Sequence, residues 1–195
     1  MRLRRAVISY FVIIVVVLMT GLVSKEQAAA QQNMALQHGW EVVGNWPYGS
    51  CNTAMADGDN LYIGTGGVII IADNKNPSAP LELSRTVTPG AVSKFFRSGD
   101  FLYVADKMGG LLIFDVRNPA KPIEVSRYSR FEPGWQEADS ARDVCVSGHY
   151  AYVAMGGFNI LDISDPSNPI AVAHRSDWTW DIEISSRYAY VTTTN

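Results

Sequence analysis

Cysteine and histidine are scarce, with two of the first and three of the second in 195 residues. Cys51 and Cys145 stand at different points of the internal repeat set out below, so they are not expected at disulfide distance and read instead as two buried thiols. No C-x-x-C spacing suited to a metal is present. His38, His149 and His174 fall in a linker, a turn and a strand end, with no i, i+4 pair and no nucleophile elbow beside them. A local triad or a metal centre is therefore unsupported, and only residues converging from distant repeats could build one.

A basic excess is missing as well. Without residues 1–30 the chain carries 12 Lys+Arg against 18 Asp+Glu, a net charge of −6, so it offers no basic face and no nucleic-acid partner is expected. Past the leader no segment shows a 3.6-residue apolar period, and the connections are short and full of Gly, Pro, Asn and Asp. Helical crossovers are thereby excluded, and with them a parallel α/β design.

What the chain does have is one phrase written three times. A small-residue turn leads into an aromatic-rich strand (Asn60–Gly64, Phe101–Ala105, Tyr150–Ala154) and a Gly-Gly bend (Gly66–Gly67, Gly109–Gly110, Gly156–Gly157). A second apolar strand ends at Asp73, Asp115 or Asp162, and a Pro-x-x-Pro turn (Pro77/Pro80, Pro119/Pro122, Pro166/Pro169) opens a third. The aspartates lie 42 and 47 residues apart, a period typical of stacked β-units or blades. An inner strand precedes each copy, at Cys51–Ala56, Ala91–Arg97 and Arg142–Val146, and a fourth unit begins with Trp180–Ile184 and Tyr188–Thr193. Trp40–Trp46, WEVVGNW, is closest to the strands that follow each Pro-x-x-Pro turn, Leu81–Arg85, Ile123–Arg127 and Ile170–His174, so the repeat region opens on the last strand of a unit.

Val68–Ile71 and Leu111–Phe114 are apolar on consecutive residues and need cover on both faces. Four-stranded antiparallel sheets that cover one another meet that need, so the expected fold is an all-β propeller with about three and a half blades, a fragment of a longer ring or a degenerate four-bladed closure. Arg2, Arg4 and Arg5 before the apolar run Ala6–Val23, with Ala28-Ala29-Ala30 ahead of Gln31, make residues 1–30 an export signal, either a cleaved signal peptide or a retained N-terminal anchor helix. Both send the remainder outward. Residues 31–39 read as a linker and 40–195 as the repeat domain.

The segments Ile160–Pro166 (ILDISDP), Ile113–Pro119 (IFDVRNP) and Ile70–Asp73 with Asn76-Pro77 resemble the LVIVD repeat, as does Ala141–Gly148 with Tyr152–Ala154. That resemblance implies a β-propeller-like protein secreted or displayed on a bacterial or archaeal envelope, and it implies no single activity. The first unit departs from the pattern with Ala72 before its aspartate.

The repeated aspartates are expected to fix their bends by accepting backbone N–H bonds, and the Pro-x-x-Pro pairs to form turns. Asp57-Gly58-Asp59-Asn60 lacks the sixth-position glycine and closing glutamate of a calcium loop, and Gly64-x-Gly66-Gly67 precedes a strand instead of a helix, so both read as bends. Lys94, Asp143 and Asp181 occupy equivalent inner-strand positions, where mixed signs point to neutralisation between blades. The loops entering each inner strand are aromatic in three of four cases: Trp46 and Tyr48, then Phe131 and Trp135 with Glu132, Glu137 and Asp139, then Trp178 and Trp180 with Asp177. Tryptophan and tyrosine beside carboxylates suit sugar rings, cationic groups or a partner protein. The competing reading is that these rings only pack against adjoining blades. The expected function is a non-catalytic binding module at the cell surface, without a cofactor, whose partner is a surface protein or a glycan. A fragment of an extracellular propeller enzyme, glycan-acting or redox, and a structural spacer are the alternatives.

Overall fold

The computed structural model describes residues 51–129 and 140–193; the leader, its expected helix, the linker and the Trp40–Trp46 strand lie outside the described residues. The described residues form strands only. Sheet 1 is β1 (Thr53–Asp57), β2 (Asn60–Thr65), β3 (Val68–Asp73) and β4 (Leu81–Val87). Sheet 2 is β5 (Lys94–Ser98), β6 (Phe101–Ala105), β7 (Leu111–Asp115) and β8 (Ile123–Tyr128). Sheet 3 is β9 (Ala141–Ser147), β10 (Tyr150–Met155), β11 (Phe158–Asp162) and β12 (Ile170–Arg175), and the hairpin β13 (Thr179–Ser185) with β14 (Tyr188–Thr193) forms a fourth, two-stranded sheet. Strand order in every sheet follows chain order and every pairing is antiparallel. This is the up-and-down blade of a propeller-like fold.

The turns explain why each phrase folds alike. Gly58, Gly99 and Gly148 take φ of 56–59° between the first two strands of sheets 1 to 3, a left-handed conformation that glycine adopts without a side-chain clash. Ser186 holds φ 56° at the same place in the hairpin. Asp73, Asp115 and Asp162 each accept the N–H two residues on, from Lys75, Arg117 and Ser164 at 2.9–3.0 Å. Those bonds hold all three carboxyls below the usual aspartate range, with the Arg117 and Ser164 side chains contributing most to Asp115 and Asp162. The Pro-x-x-Pro turns follow the same logic, since Asn76, Asn118 and Asp165 each accept the N–H of the second residue on.

A register shift recurs between the third and fourth strands of sheets 1 to 3, at Ile71/Ala72, Ile113/Phe114 and Ile160/Leu161. Beyond it Ser84 and Ser126 reach the next sheet, where their hydroxyls donate to Pro119 O at 2.7 Å and Pro166 O at 2.6 Å. Face-to-face cores separate the sheets. Between sheets 1 and 2 lie Tyr62, Ile69 and Ile71 against Leu102, Leu112 and Phe114; between sheets 2 and 3 lie Tyr103, Leu111 and Ile113 against Val144, Val153 and Leu161. The consecutive apolar runs are covered on both faces as expected: Ile69 to Ile71 and Leu111 to Phe114 are all buried, and Val68, which opens the first run, is partly buried.

Inner-strand boundaries differ from expectation. β5 starts at Lys94, not Ala91, because Val92 N–H donates to Gly66 O, at the bend of the sheet before, and Ser93 N–H to Ala105 O. β1 starts at Thr53, not Cys51, because Asn52 N–H makes the corresponding bond to Gly64 O at 2.7 Å. Cys51 and Cys145 are free and buried, in separate cores.

Candidate functional site

The entry loops and the Gly-Gly bends share one rim. Thr88 N–H donates to Gly67 O, and Lys107, in the bend of sheet 2, exchanges two 2.9 Å backbone bonds with Ala141 at the start of β9. A buried carboxylate ties this rim together. Asp106 is fully buried and accepts from Thr88 Oγ1 and from Gly90 N–H, each at 2.7 Å. Burial pushes its carboxyl above the usual range, against those two bonds. Sequence reasoning passed Asp106 over because it belongs to no repeated position.

Of the expected aromatic loops, Trp178 and Trp180 lie in the described residues; Trp46, Tyr48, Trp135, Glu137 and Asp139 lie outside them, with Phe131 and Glu132. Trp178 and Trp180 meet edge to face with ring centroids 6.0 Å apart. The Arg142 guanidinium stands over both, 4.4 Å from the Trp180 centroid and 5.1 Å from that of Trp178. Trp180 keeps 46% of its surface exposed while Trp178 is half-buried. The rings pack on the neighbouring sheet through Arg142, and Trp180 keeps one part of its surface open to solvent. Arg142 and Trp180 hold equivalent places in adjacent inner strands (A-R-D-V and T-W-D-I), so aligning the repeats is the signal that would have found the contact. Asp177 is engaged by Arg175, whose Nε and Nη2 donate to one carboxylate oxygen at 3.0 and 2.6 Å.

Along the inner strands the three equivalent residues part company. Asp143 is 2% exposed and accepts from Ile182 N–H of β13 at 2.6 Å, with Lys94 Nζ at 3.9 Å, so one carboxylate bridges sheets 2, 3 and 4. Desolvation raises its pKa over the opposing pull of the Ile182 N–H and Lys94. Asp181 is exposed. Cys145 donates to Ile182 O at 3.0 Å, and burial with the adjoining Asp143 pushes its thiol up to about 11, which leaves it unreactive. Asn159, buried in the third unit where the others carry Ile70 and Leu112, has Oδ1 3.1 Å from His174 Nδ1 and donates to the Met155 carbonyl. Among the described residues no three of His, Cys, Asp and Glu converge as a metal cage.

Comparison with known proteins agrees with the repeats and the fold. Residues 89–130 and 138–174 match the LVIVD repeat, and these two segments carry sheet 2 and, but for Arg175, sheet 3. Among solved structures, the computationally designed Ika4 protein superposes with a TM-score of 0.59 at 8% identity, covering 76% of this chain and 88% of that one. The computationally designed Ika8 protein gives 0.57 at 9% identity, covering 74% of this chain and 43% of that one. At such identities the likeness speaks for the fold alone. No curated protein matches the chain.

Proposed function

With the LVIVD repeats and the propeller-like fold as premise, we propose that this chain is an exported, non-catalytic module that binds a glycan or a protein at the cell surface through its aromatic rim. The observation that carries the reading is the Arg142–Trp178–Trp180 cluster: two indoles fixed at one rim by a guanidinium, with Trp180 open on one side. A ring pinned in this way is ordered before the ligand arrives, which lowers the entropy cost of binding. Because Arg142 already fills the cationic place over both rings, the open face favours a sugar ring or an apolar side chain over a second cation. Export is supported by the arginines and apolar run of residues 1–30.

The test uses fluorescently labelled chain and intact envelope-bearing bacterial or archaeal cells, with soluble cello-, xylo- and chito-hexaose as competitors. Saturable binding that Trp180→Ala abolishes at an unchanged melting temperature supports the reading, and competition by one sugar assigns the glycan class. Equal binding by Trp178→Ala and Trp180→Ala overturns it, and loss of fold in both leaves the rings as packing alone. N-terminal sequencing of secreted chain should begin at Gln31 if the leader is cleaved.

A further inference from the structure

Sheet 1 is buried on the side that faces away from sheet 2. Ile70 and Ala72 are fully buried there, Ile63 is 1% exposed and Cys51 3%, and with Leu61 they form one core. The two other face-to-face cores are each assembled from two sheets, whereas every described member of this one belongs to sheet 1 or to the residues entering it. No described strand makes on that face the contacts that β5 makes with β1 or β9 with β5. Half of a core is therefore supplied from outside the described residues.

We propose that Trp40–Trp46 supplies it, lying over the outward face of sheet 1 as β4 lies over sheet 2 and β8 over sheet 3. Three observations converge on that segment. Its W-E-V-V aligns with L-E-L-S of β4 and I-E-V-S of β8. Trp40 precedes Thr53, the first residue of β1, by 13 residues, the spacing of Leu81 before Lys94, the first residue of β5. The chain also enters both strands in one way, through the Asn52 to Gly64 and Ser93 to Ala105 backbone bonds. Register then assigns the contacts. Val125 packs into the core between sheets 2 and 3, and Ser126 reaches the Pro166 turn; the equivalent Val42 and Val43 face the Leu61–Ala72 side of sheet 1 and its Pro77 turn. One consequence is that Trp46 and Tyr48 join the rim at the place that Val87–Pro89 holds one unit later.

The native thiols report on this in the full chain. Cys51 lies in the half-core and Cys145 in the core between sheets 3 and 4, so a disulfide-exchange reagent reads one against the other. Val42→Asp and Val43→Asp are expected to speed modification of Cys51 by about tenfold or more while Cys145 stays unreactive. Unchanged Cys51 protection in both variants overturns the proposal. So does a Cys51 that becomes reactive in the unmutated chain on dilution, which assigns the cover to a second copy, or on deletion of residues 6–23, which assigns it to the apolar leader. Should either variant unfold, hydrogen exchange of the unmutated chain decides: amides of 40–46 as slow as those of β4 support the proposal, and free exchange there overturns it.

Discussion

Sheet 2 and the β13–β14 hairpin are written in nearly the same words and end at opposite extremes of burial. Phe101-Leu102-Tyr103-Val104-Ala105 makes β6, with four of its five residues buried; Tyr188-Ala189-Tyr190-Val191-Thr192 makes most of β14, all exposed. The difference lies in what stands on either side. β6 is paired on both edges and packed on both faces, whereas among the described residues β14 is paired on one edge, with β13. Burial in this fold is conferred by neighbours, so similar phrases carry unequal energetic weight. The largest test of that statement is Phe114→Ala in β7, which should cost about 3–5 kcal/mol in urea unfolding, while Tyr190→Ala should stay within about 0.5 kcal/mol. Equal costs would mean that the hairpin is packed as deeply as sheet 2.

The rim of sheet 2 is packed backbone against backbone. A Cβ added at Gly90 would lie 1.8 Å from the Asp106 carbonyl oxygen and 2.7 Å from the Gly109 nitrogen, both backbone atoms that cannot swing aside. Gly90→Ala should therefore destabilise by about 1–3 kcal/mol in the same assay. An unaffected Gly90→Ala would show that the 88–93 loop floats above the bend.

The same place sets a pH dependence. Burial holds Asp106 and Asp143 above the ordinary aspartate value, so in the window above that value the folded chain keeps protons that the unfolded chain has released. Stability contributed by these groups is fully present at lower pH and is lost as pH rises through their folded values. The lowered Asp73, Asp115 and Asp162 act with the opposite sign below the ordinary range, so the two windows do not overlap. Urea midpoints measured across pH should fall through the upper window, and Asp106→Asn should flatten that fall in part, Asp143 carrying the rest. A slope untouched by Asp106→Asn would place the titration elsewhere.

Much of this was legible in the sequence, and the boundary of legibility is physical. Period, strand order and aspartate turns follow from contacts within one unit, and a unit repeats its own instructions; two-faced burial is conferred by the neighbouring sheets but shows in each unit as an unbroken apolar run. Asp106 and Arg142 act between units, where each interface has its own partner: Asp106 meets Thr88 and Gly90 of the preceding loop, and Arg142 meets the tryptophans of the next. The three equivalent residues Lys94, Asp143 and Asp181 were legible as a set, but not that a backbone N–H would satisfy the middle one.

A smaller effect sharpens the contrast at the hairpin turn. Ser186 sits at φ 56° where the other units use glycine, a left-handed conformation that a side chain disfavours. Ser186→Gly should raise the unfolding midpoint by the equivalent of about 0.5–1 kcal/mol, and Gly148→Ser should lower it by a comparable amount. If only the second change has an effect, the hairpin opens apart from the remainder and its turn contributes nothing to global stability.

The smallest expected change in stability concerns the open edge itself. β14 presents Tyr188 and Tyr190 with ring centroids 6.5 Å apart, contains no lysine or proline, and has an edge left unpaired among the described residues. Such an edge templates strand addition by another chain unless a charge interrupts it. Val191→Lys, at a residue 39% exposed, should leave the unfolding midpoint within about 0.5 kcal/mol and slow concentration-dependent aggregation in light scattering. A variant that aggregates as fast as the parent would show that this edge is already covered by another part of the chain, and the contrast with β6 would narrow to the exposed faces of β14.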